Sequence, residues 1–444
     1  MTVALFWIAL GALLIAALWF LRLVIETGAA YKAKVLSTLL FTQHRAVNPQ
    51  SATEVSADSY RILRLFRARI DHEKRLVSTS FLGLRPQTAI WREGFGSTLH
   101  ADSAMSAPSV SSTRPRVRSE WERTGTPSTL ADAVARAFTE PNPARRRRTQ
   151  AVVVVQGGRI VAEQYAPPFD ASSLFPGWSV AKSLVPSLVG ILVGEGRLSV
   201  SDQALWPTWS ATDPRAAITL EDLLRMRSGL RFKEVYTTPV SDVLRMLYRE
   251  RDMAAFAASR PLAAPPGTAW SYSSGTTNIL SAIIKRTVGE SSYIDWPHRV
   301  LLDRIGMSSA ILEADAAGTF VCSSYMLATA RDWARFGRFH LQDGVWDGTR
   351  ILPEGWMAFC TTPTPQSPTA NFGAHWWLKL QPDIGGQTAS ASRIPADAFF
   401  AVGHEGQTIS VIPSRDLVVV RHGLSIYIDA WNQAEFVTDI LDAL

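Results

Sequence analysis

The chain has 444 residues, 47% of them apolar and 19% charged, enough to bury a full catalytic core and to carry an appendage beside it. Its net charge of +6 is small for this length, and much of the excess sits in Arg145, Arg146, Arg147 and Arg148 and around Arg114, Arg116 and Arg118, runs that read as solvated or lipid-facing surface. With no zinc-finger spacing, RNA-binding signature or phosphate-binding Gly-rich loop with a Lys, no nucleic-acid partner is expected. Two cysteines, Cys322 and Cys360, exclude a disulfide scaffold and any multi-cysteine metal site, and leave open one bridge or two buried thiols. His404-Glu405 begins like a zinc-protease helix, but no second His follows at the required spacing, so no metal is expected.

In chain order, the first signal is an uncharged run from Val3 to Leu21, which as a helix would span roughly 28 Å, close to the hydrocarbon thickness of a bilayer. Residues 3–25 therefore read as a transmembrane anchor. A cleaved signal peptide would begin with basic residues and have a shorter apolar stretch. Arg22, Lys32, Lys34 and Arg45 follow the span, and by the positive-inside tendency they would keep the bulk of the protein cytoplasmic. Residues 26–127 form an extension and linker of mixed character. It has apolar pieces such as Val35 to Phe41, a helical-looking stretch from Ala57 to Ile70, and a Ser-, Thr-, Pro-, Ala- and Arg-rich run from Ala101 to Pro127.

A catalytic domain is expected over residues 128–444. Ser128 to Thr139 has apolar residues at helical spacing behind a Ser N-cap. Ala151 to Tyr165 predicts a hairpin turning through Gln156, Gly157 and Gly158. Three strand-like runs, FFAVGH, TISVIP and LVVVRHG, return near the end, before a helical segment from Ala430 to Leu444. The intervening 230 or so residues look mostly helical, including Thr219 to Met226 behind a Thr219 cap, and Thr277 to Val288. The expected class is α+β: an antiparallel sheet from both ends of the domain, flanked by helices, with a largely helical insertion.

Chemistry concentrates in three places. Ser179-Val180-Ala181-Lys182 opens a segment, through Val193, that is apolar on nearly every side and so must be buried. Residues three apart on a helix share a face, so the Lys182 amine can reach the Ser179 hydroxyl. Apolar surroundings favour the neutral amine, the state that can take a proton from serine. The unpaired N–H groups of the first turn would stabilise an oxyanion at Ser179. Pro186 inside the run predicts a kink. The second place is Pro265 to Ser274, a turn and polar loop running into a helix, which would present the Tyr272 hydroxyl in a cleft. The third is Gly403-His404-Glu405-Gly406-Gln407, a strand junction where small residues let a carbonyl approach backbone N–H donors.

In this order and spacing, the three resemble the serine β-lactamase and penicillin-binding-protein superfamily, in particular its class C-like branch of esterases and 6-aminohexanoate-dimer hydrolases, over roughly Ser128 to Leu444. The resemblance implies a β-lactamase/transpeptidase-like fold with Ser179 as nucleophile, Lys182 as base and Tyr272 as the second-motif tyrosine. It places His404, Glu405 and Gly406 in the third motif and the backbone N–H of Gln407, with that of Ser179, in the oxyanion hole. LLRMRSGL around Ser228 and ATARDWARFGR from Ala328 are also similar to this group. Two departures argue against β-lactams as the main substrate. Ser274 replaces the Asn of Tyr-x-Asn, and His404 replaces a Lys that would pair with a substrate carboxylate. The expectation is hydrolysis of a small amide or ester through an acyl-enzyme, with no metal or organic cofactor. His404, Glu405, Gly406, Ser274 and Tyr236 are candidate substrate contacts. The loop from Lys233 to Ser241, with Glu234, Tyr236 and Asp242 nearby, would border the site and could recognise an amine or hydrogen-bond a leaving group, but it reads more readily as solvated surface. Because such hydrolases work outside the cytoplasm and large domains are exported regardless of flanking charge, the domain is expected on the periplasmic face of the inner membrane.

Two other readings make different demands. Gly177-Trp178-Ser179-Val180-Ala181 half-matches an α/β-hydrolase nucleophile elbow, with Asp397 and His404 downstream, but that elbow needs a strand immediately before it. A non-catalytic cell-envelope binding protein of the same fold should have lost one of the motif positions, and Ser179, Lys182 and Tyr272 are all present. A β-lactamase or D,D-peptidase-type enzyme would share all three.

Overall fold

The computed structural model describes residues 2–101, 121–380 and 389–444; Arg114, Arg116 and Arg118 lie outside them. The apolar run continues as one helix, α1 (Thr2–Ser37), into a π turn at Thr38–Thr42. This helix has two parts. From Leu5 to Leu21 its large apolar side chains face outward, whereas from Leu23 it becomes core, with Ala29, Ala30, Ala33 and Leu36 fully buried. The segment Leu5–Thr42 is long and apolar enough to cross a membrane.

Around the buried half of α1 winds a four-stranded antiparallel meander, β1 (Phe66–Asp71), β2 (Leu76–Phe81), β3 (Leu84–Arg92) and β4 (Gly96–Leu99). Its core joins Ile25, Ala29 and Leu36 to Leu63, Phe66 and Val77. The stretch from Ala57 to Ile70, expected as helix, divides into a 3-10 turn at Asp58–Leu65 and strand β1. From Phe66 the apolar residues alternate with Arg67 and Arg69, and a two-residue period puts them on one face of a strand. Lys32 and Lys34 are buried here. Lys32 Nζ donates to the carbonyls of Leu63 and Phe66 at 2.9 and 2.7 Å. Lys34 pairs with Glu313 and donates to Ser97 O at 2.7 Å.

The next helix, α2 (Ser128–Ala137), has Pro127 at its N-cap, and Ser128 makes no capping bond. Strands β5 (Thr149–Gln156) and β6 (Arg159–Tyr165) form the expected hairpin, followed by a short β7 (Leu174–Pro176). Then come α3 (Leu184–Gly194) and the helical insertion, α4 (Leu220–Leu224), α5 (Asp242–Arg249), α6 (Met253–Ala258), α7 (Ser274–Val288) and α8 (Glu290–Tyr293). Thr219 caps α4 in a reciprocal box with Asp222. Strands β8 (Ile311–Leu312) and β9 (Met326–Thr329) pair with β7 in a small sheet of order β7-β9-β8. Helix α9 (Ala330–Leu341), the hairpin β10 (Val345–Trp346) and β11 (Thr349–Arg350), and α10 (Trp356–Thr361) precede the last strands, β12 (Phe399–Gly403), β13 (Gln407–Ile412) and β14 (Leu417–Gly423), and α11 (Gln433–Ala443).

The main sheet has the order β12-β13-β14-β5-β6, so strands from both ends of the domain meet where Val420 opposes Val153 and Val418 opposes Val155. The AVVVV run lacks alternation because both faces of β5 are covered. Val153 and Val155 point toward α9 and the helical body, whereas Val152 and Val154 meet Leu130, Val134, Val437 and Ile440 of α2 and α11. Gly337 lets α9 lie flat on the sheet, since a Cβ there would stand 2.5 Å from Val418. Cys322 and Cys360 are buried and unbridged.

Candidate active site

Ser179 lies on a 3-10 turn, Trp178–Ser183, and the α-helix begins only at Leu184. The expected pairing survives this change, because side chains three apart eclipse in a 3-10 helix. Pro186 falls in the first turn of α3, where its missing N–H has no intrahelical role, so no kink is required. Trp178, immediately before the serine, is held at φ +48°, a conformation that costs a bulky residue on the order of 1–3 kcal/mol. Its ring is fixed edge-on against Tyr325 and His404.

Lys182 is almost completely buried. Its Nζ lies 2.9 Å from Ser179 Oγ, 3.0 Å from Ser274 Oγ and 2.9 Å from the Ser323 carbonyl. Burial lowers the amine to about 8, with the Glu234 carboxylate acting weakly in the other direction. The Ser274 hydroxyl proton is committed to Glu234 Oε1 at 2.5 Å, and the same carboxylate accepts from Ser274 N at 2.9 Å and from the Tyr236 hydroxyl at 2.8 Å. Ser274 Oγ therefore presents a lone pair to Lys182, and the Ser323 carbonyl can only accept. A neutral amine has two N–H groups for those acceptors, which leaves its lone pair for the remaining neighbour, the Ser179 hydroxyl. Tyr272 stacks on Trp377 with ring centroids 5.4 Å apart, and Lys182 Nζ sits 5.0 Å from the Tyr272 ring centre. Burial raises the Tyr272 phenol well above its ordinary value, so at neutral pH it is a proton donor, interacting with the Ser179 side chain.

The third constellation closes the same site. Gly403 ends β12 opposite Gln407, and it must be glycine: a Cβ would stand 2.2 Å from Gly177 O and 3.3 Å from Ser179 N. The turn passes through Glu405 and Gly406 at φ +62° and +84°, and Arg421 Nη1 holds the Gly406 carbonyl at 2.9 Å. The Gln407 side chain is anchored away from the cleft, donating to Gly423 O at 2.5 Å. His404 stacks on Tyr236, with centroids 5.6 Å apart, and burial keeps its imidazole below the ordinary value and hence neutral. The Tyr60 hydroxyl lies 3.1 Å from His404 Nε2 and donates to Glu405 Oε1 at 2.9 Å. Burial pushes Glu405 up to about 7, partly opposed by that bond.

Of the residues singled out from sequence, Ser179, Lys182, Tyr272, Ser274, His404, Gly406, Gln407 and Tyr236 converge on this one site. Glu405 turns its side chain to Tyr60 instead. Glu234, named only as part of a loop that could border the site, proves to bond Ser274, and Tyr60, separated from His404 by 344 residues, had no sequence signal at all. The elbow alternative does not form. Only three residues of strand precede the turn, paired antiparallel with β9, and Asp397 accepts from Ser414 N and Oγ instead of His404. Among the described residues no three His, Cys, Asp or Glu side chains group as a metal site.

Comparison with known proteins agrees with this geometry. Residues 131–422 match the sequence profile of the Beta-lactamase family, and this match spans well over half of the chain. The 6-aminohexanoate-dimer hydrolase of Paenarthrobacter ureafaciens is 26% identical over 302 residues, covering 62% of this chain and 72% of the relative. A Bacillus anthracis protein assigned as a 6-aminohexanoate-dimer hydrolase superposes with a TM-score of 0.58 at 21% identity, over 73% of this chain and 86% of its own. A family VIII carboxylesterase superposes with a TM-score of 0.54 at 15% identity, over 71% and 96%; at these identities the two structures speak to the fold. The body that follows the N-terminal meander has the β-lactamase/transpeptidase-like fold, and the chain belongs to the β-lactamase family, whose members include hydrolases.

Proposed function

We propose that the protein is a serine hydrolase that cleaves a small amide or ester bond through an acyl-enzyme on Ser179. The observation that carries this is the set of three neighbours around Lys182 Nζ, of which only the Ser179 hydroxyl can donate to a neutral amine. In the acylation step Ser179 Oγ attacks the substrate carbonyl as Lys182 takes its proton. The carbonyl oxygen turns toward the backbone N–H groups of Ser179 and Gln407, brought close by the packing of Gly403 on Ser179 N. Tyr272, kept protonated by burial, hands a proton to the leaving group and is restored through Lys182. Water then cleaves the ester with the same groups.

His404 and Tyr236, stacked face to face at the rim, form a neutral aromatic wall in place of a cation, which suits an uncharged acyl chain better than a carboxylate-bearing β-lactam. A substrate of the kind named for the Paenarthrobacter relative, a linear amide of an amino acid, fits this wall. Residues 3–25 serve as a membrane anchor, residues 26–127 as an extension bound to the hydrolase domain, and residues 128–444 as that domain. Hydrolases of this kind generally work outside the cytoplasm, and large domains are exported regardless of flanking charge, so we place the domain on the periplasmic face of the inner membrane, against the positive-inside count of Arg22, Lys32, Lys34 and Arg45.

The test is hydrolysis by the full chain of p-nitrophenyl esters, linear aminohexanoate amides, D-amino-acid peptides and a chromogenic cephalosporin. Turnover of the first two, abolished in Ser179→Ala, is expected. Preferential turnover of the cephalosporin would point to a β-lactamase instead, and no turnover of any by a folded protein would point to a binding protein.

A further inference from the structure

The meander carries a feature that catalysis does not use. Strands β2 and β3 are joined by the two-residue turn Leu82-Gly83, with Phe81 opposite Leu84, and Leu82 and Gly83 both take positive φ, +50° and +80°. Such turns favour Asn or Asp before Gly, because a branched apolar side chain is strained there. Leu82 meets nothing that compensates for it within the protein: it is 73% exposed, and Leu84 beside it is 58% exposed.

The place of this tip along α1 identifies what it faces. Arg85, next to Leu84, lies 3.6 Å from Glu26, and Glu26 accepts from Arg22 at 2.9 Å. Leu82 and Leu84 therefore stand beside the point where the outward-facing apolar half of α1 emerges from the folded body. Close by, the 3-10 turn at Asp58–Leu65 packs Leu63 against Gly28 and leaves Ile62 and Leu65 60% and 56% exposed. Among the described residues eight large apolar side chains outside α1 are exposed, and these four share this one end of the molecule. Arg61, Arg64, Arg67 and Arg69 are interleaved with them, exposed and without an acidic partner among the described residues. Apolar side chains interleaved with guanidinium groups suit the boundary between acyl chains and phosphates.

We propose that this end of the meander is a membrane-docking surface, in which Leu82 and Leu84 enter a phospholipid bilayer beside the α1 span while Arg61, Arg64, Arg67 and Arg69 contact lipid phosphates. The partner is the bilayer itself, since the patch is continuous with a helix of bilayer-spanning length. The same 3-10 turn bears Tyr60, which grips His404 and Glu405, so docking fixes the orientation of the hydrolase body to the lipid plane.

This inference rests on the reading of α1 as a span, and the experiment separates the two. The full chain is placed in nanodiscs of phosphatidylethanolamine and phosphatidylglycerol, with a nitroxide on Leu82→Cys, Leu13→Cys or Ile428→Cys; Cys322 and Cys360 are buried, so labelling is selective. Relaxation by oxygen, which concentrates in lipid, is compared with relaxation by a water-soluble nickel chelate. The label at 82 is expected to be several-fold less accessible to nickel than that at 428, and more accessible to oxygen, with the label at 13 deeper still. A label at 82 as nickel-accessible as that at 428, above a deep label at 13, would overturn the docking surface and leave the span. Shielding at 82 from both reagents would also overturn it, in favour of a protein contact. A water-exposed label at 13 would overturn both.

Discussion

At Lys182 the balance between burial and charge decides what the serine can do. A lysine at its ordinary value would be neutral in only about one molecule in a thousand at pH 7.4, whereas at about 8 a useful fraction is neutral. Only that form can accept the Ser179 proton, so kcat/KM is expected to fall about tenfold per pH unit below pH 8 and to level off above it; a pH profile with a cognate ester checks this. Lys182→Ala and Ser179→Ala should each lower kcat by about a thousandfold or more, with the double variant little worse, because the two act as one unit. Glu234→Ala frees the Ser274 proton to compete for the Lys182 lone pair and is expected to reduce kcat more than it raises KM, which steady-state kinetics would show. Glu405 titrates in the opposite sense to a paired carboxylate. Its folded-state value is raised to about 7, so its contribution is complete below the unfolded value, near 4.5, and is lost as pH rises through 7. Thermal denaturation of Glu405→Gln should thus show a gain over wild type at pH 8 and none near pH 4.5. The pairing of Ser179 with Lys182 was readable because they stand three residues apart, whereas Tyr272 entered only through its place in the second motif of the resemblance. Tyr60 had no signal at all, since its partners His404 and Glu405 lie far along the chain.

Elements with a strong period were legible from sequence: the AVVVV hairpin, the three terminal strands and the capped helix at Thr219 all form where expected. What composition hid was context. The turn around Ser179 is 3-10 instead of α because β7 and the strained Trp178 deliver the chain tightly against β9, a tertiary constraint without a local signature. The extension was illegible for a related reason. Its helix turns one apolar stretch outward and buries the next in the protein, and its two core lysines find their main partners beyond the helix, Lys32 at the Leu63 and Phe66 carbonyls and Lys34 at Ser97 and Glu313. Glu313 accepts from Lys34, Thr38 Oγ1, Thr42 Oγ1 and Ser97 N, so it joins α1, the π turn and β4 to the hydrolase body. Replacing it with Ala leaves the buried Lys34 ammonium unpaired and should cost about 3–5 kcal/mol. The loss should be seen as a lower thermal midpoint and as faster hydrogen exchange confined to residues 29–42 and 96–99.

For the whole molecule, the consequence is that the extension and the hydrolase body are one packed unit. Tyr60 reaches the third motif, Glu313 reaches α1, and Arg148 pairs with Asp58 at 2.6 Å. A truncation that removes residues 26–100 would take Tyr60 from His404 and Glu405 and expose the buried Glu313, so it is expected to lower both stability and any hydrolysis measured with the full chain. The central claim is that Ser179 is a nucleophile activated by Lys182, and one measurement meets it directly: intact and peptide mass spectrometry of the full chain after treatment with a fluorophosphonate. A single adduct on Ser179, absent from Ser179→Ala and formed far more slowly in Lys182→Ala, is the result this structure predicts. A folded protein that stays unlabelled, or that carries the adduct on another residue, would contradict it.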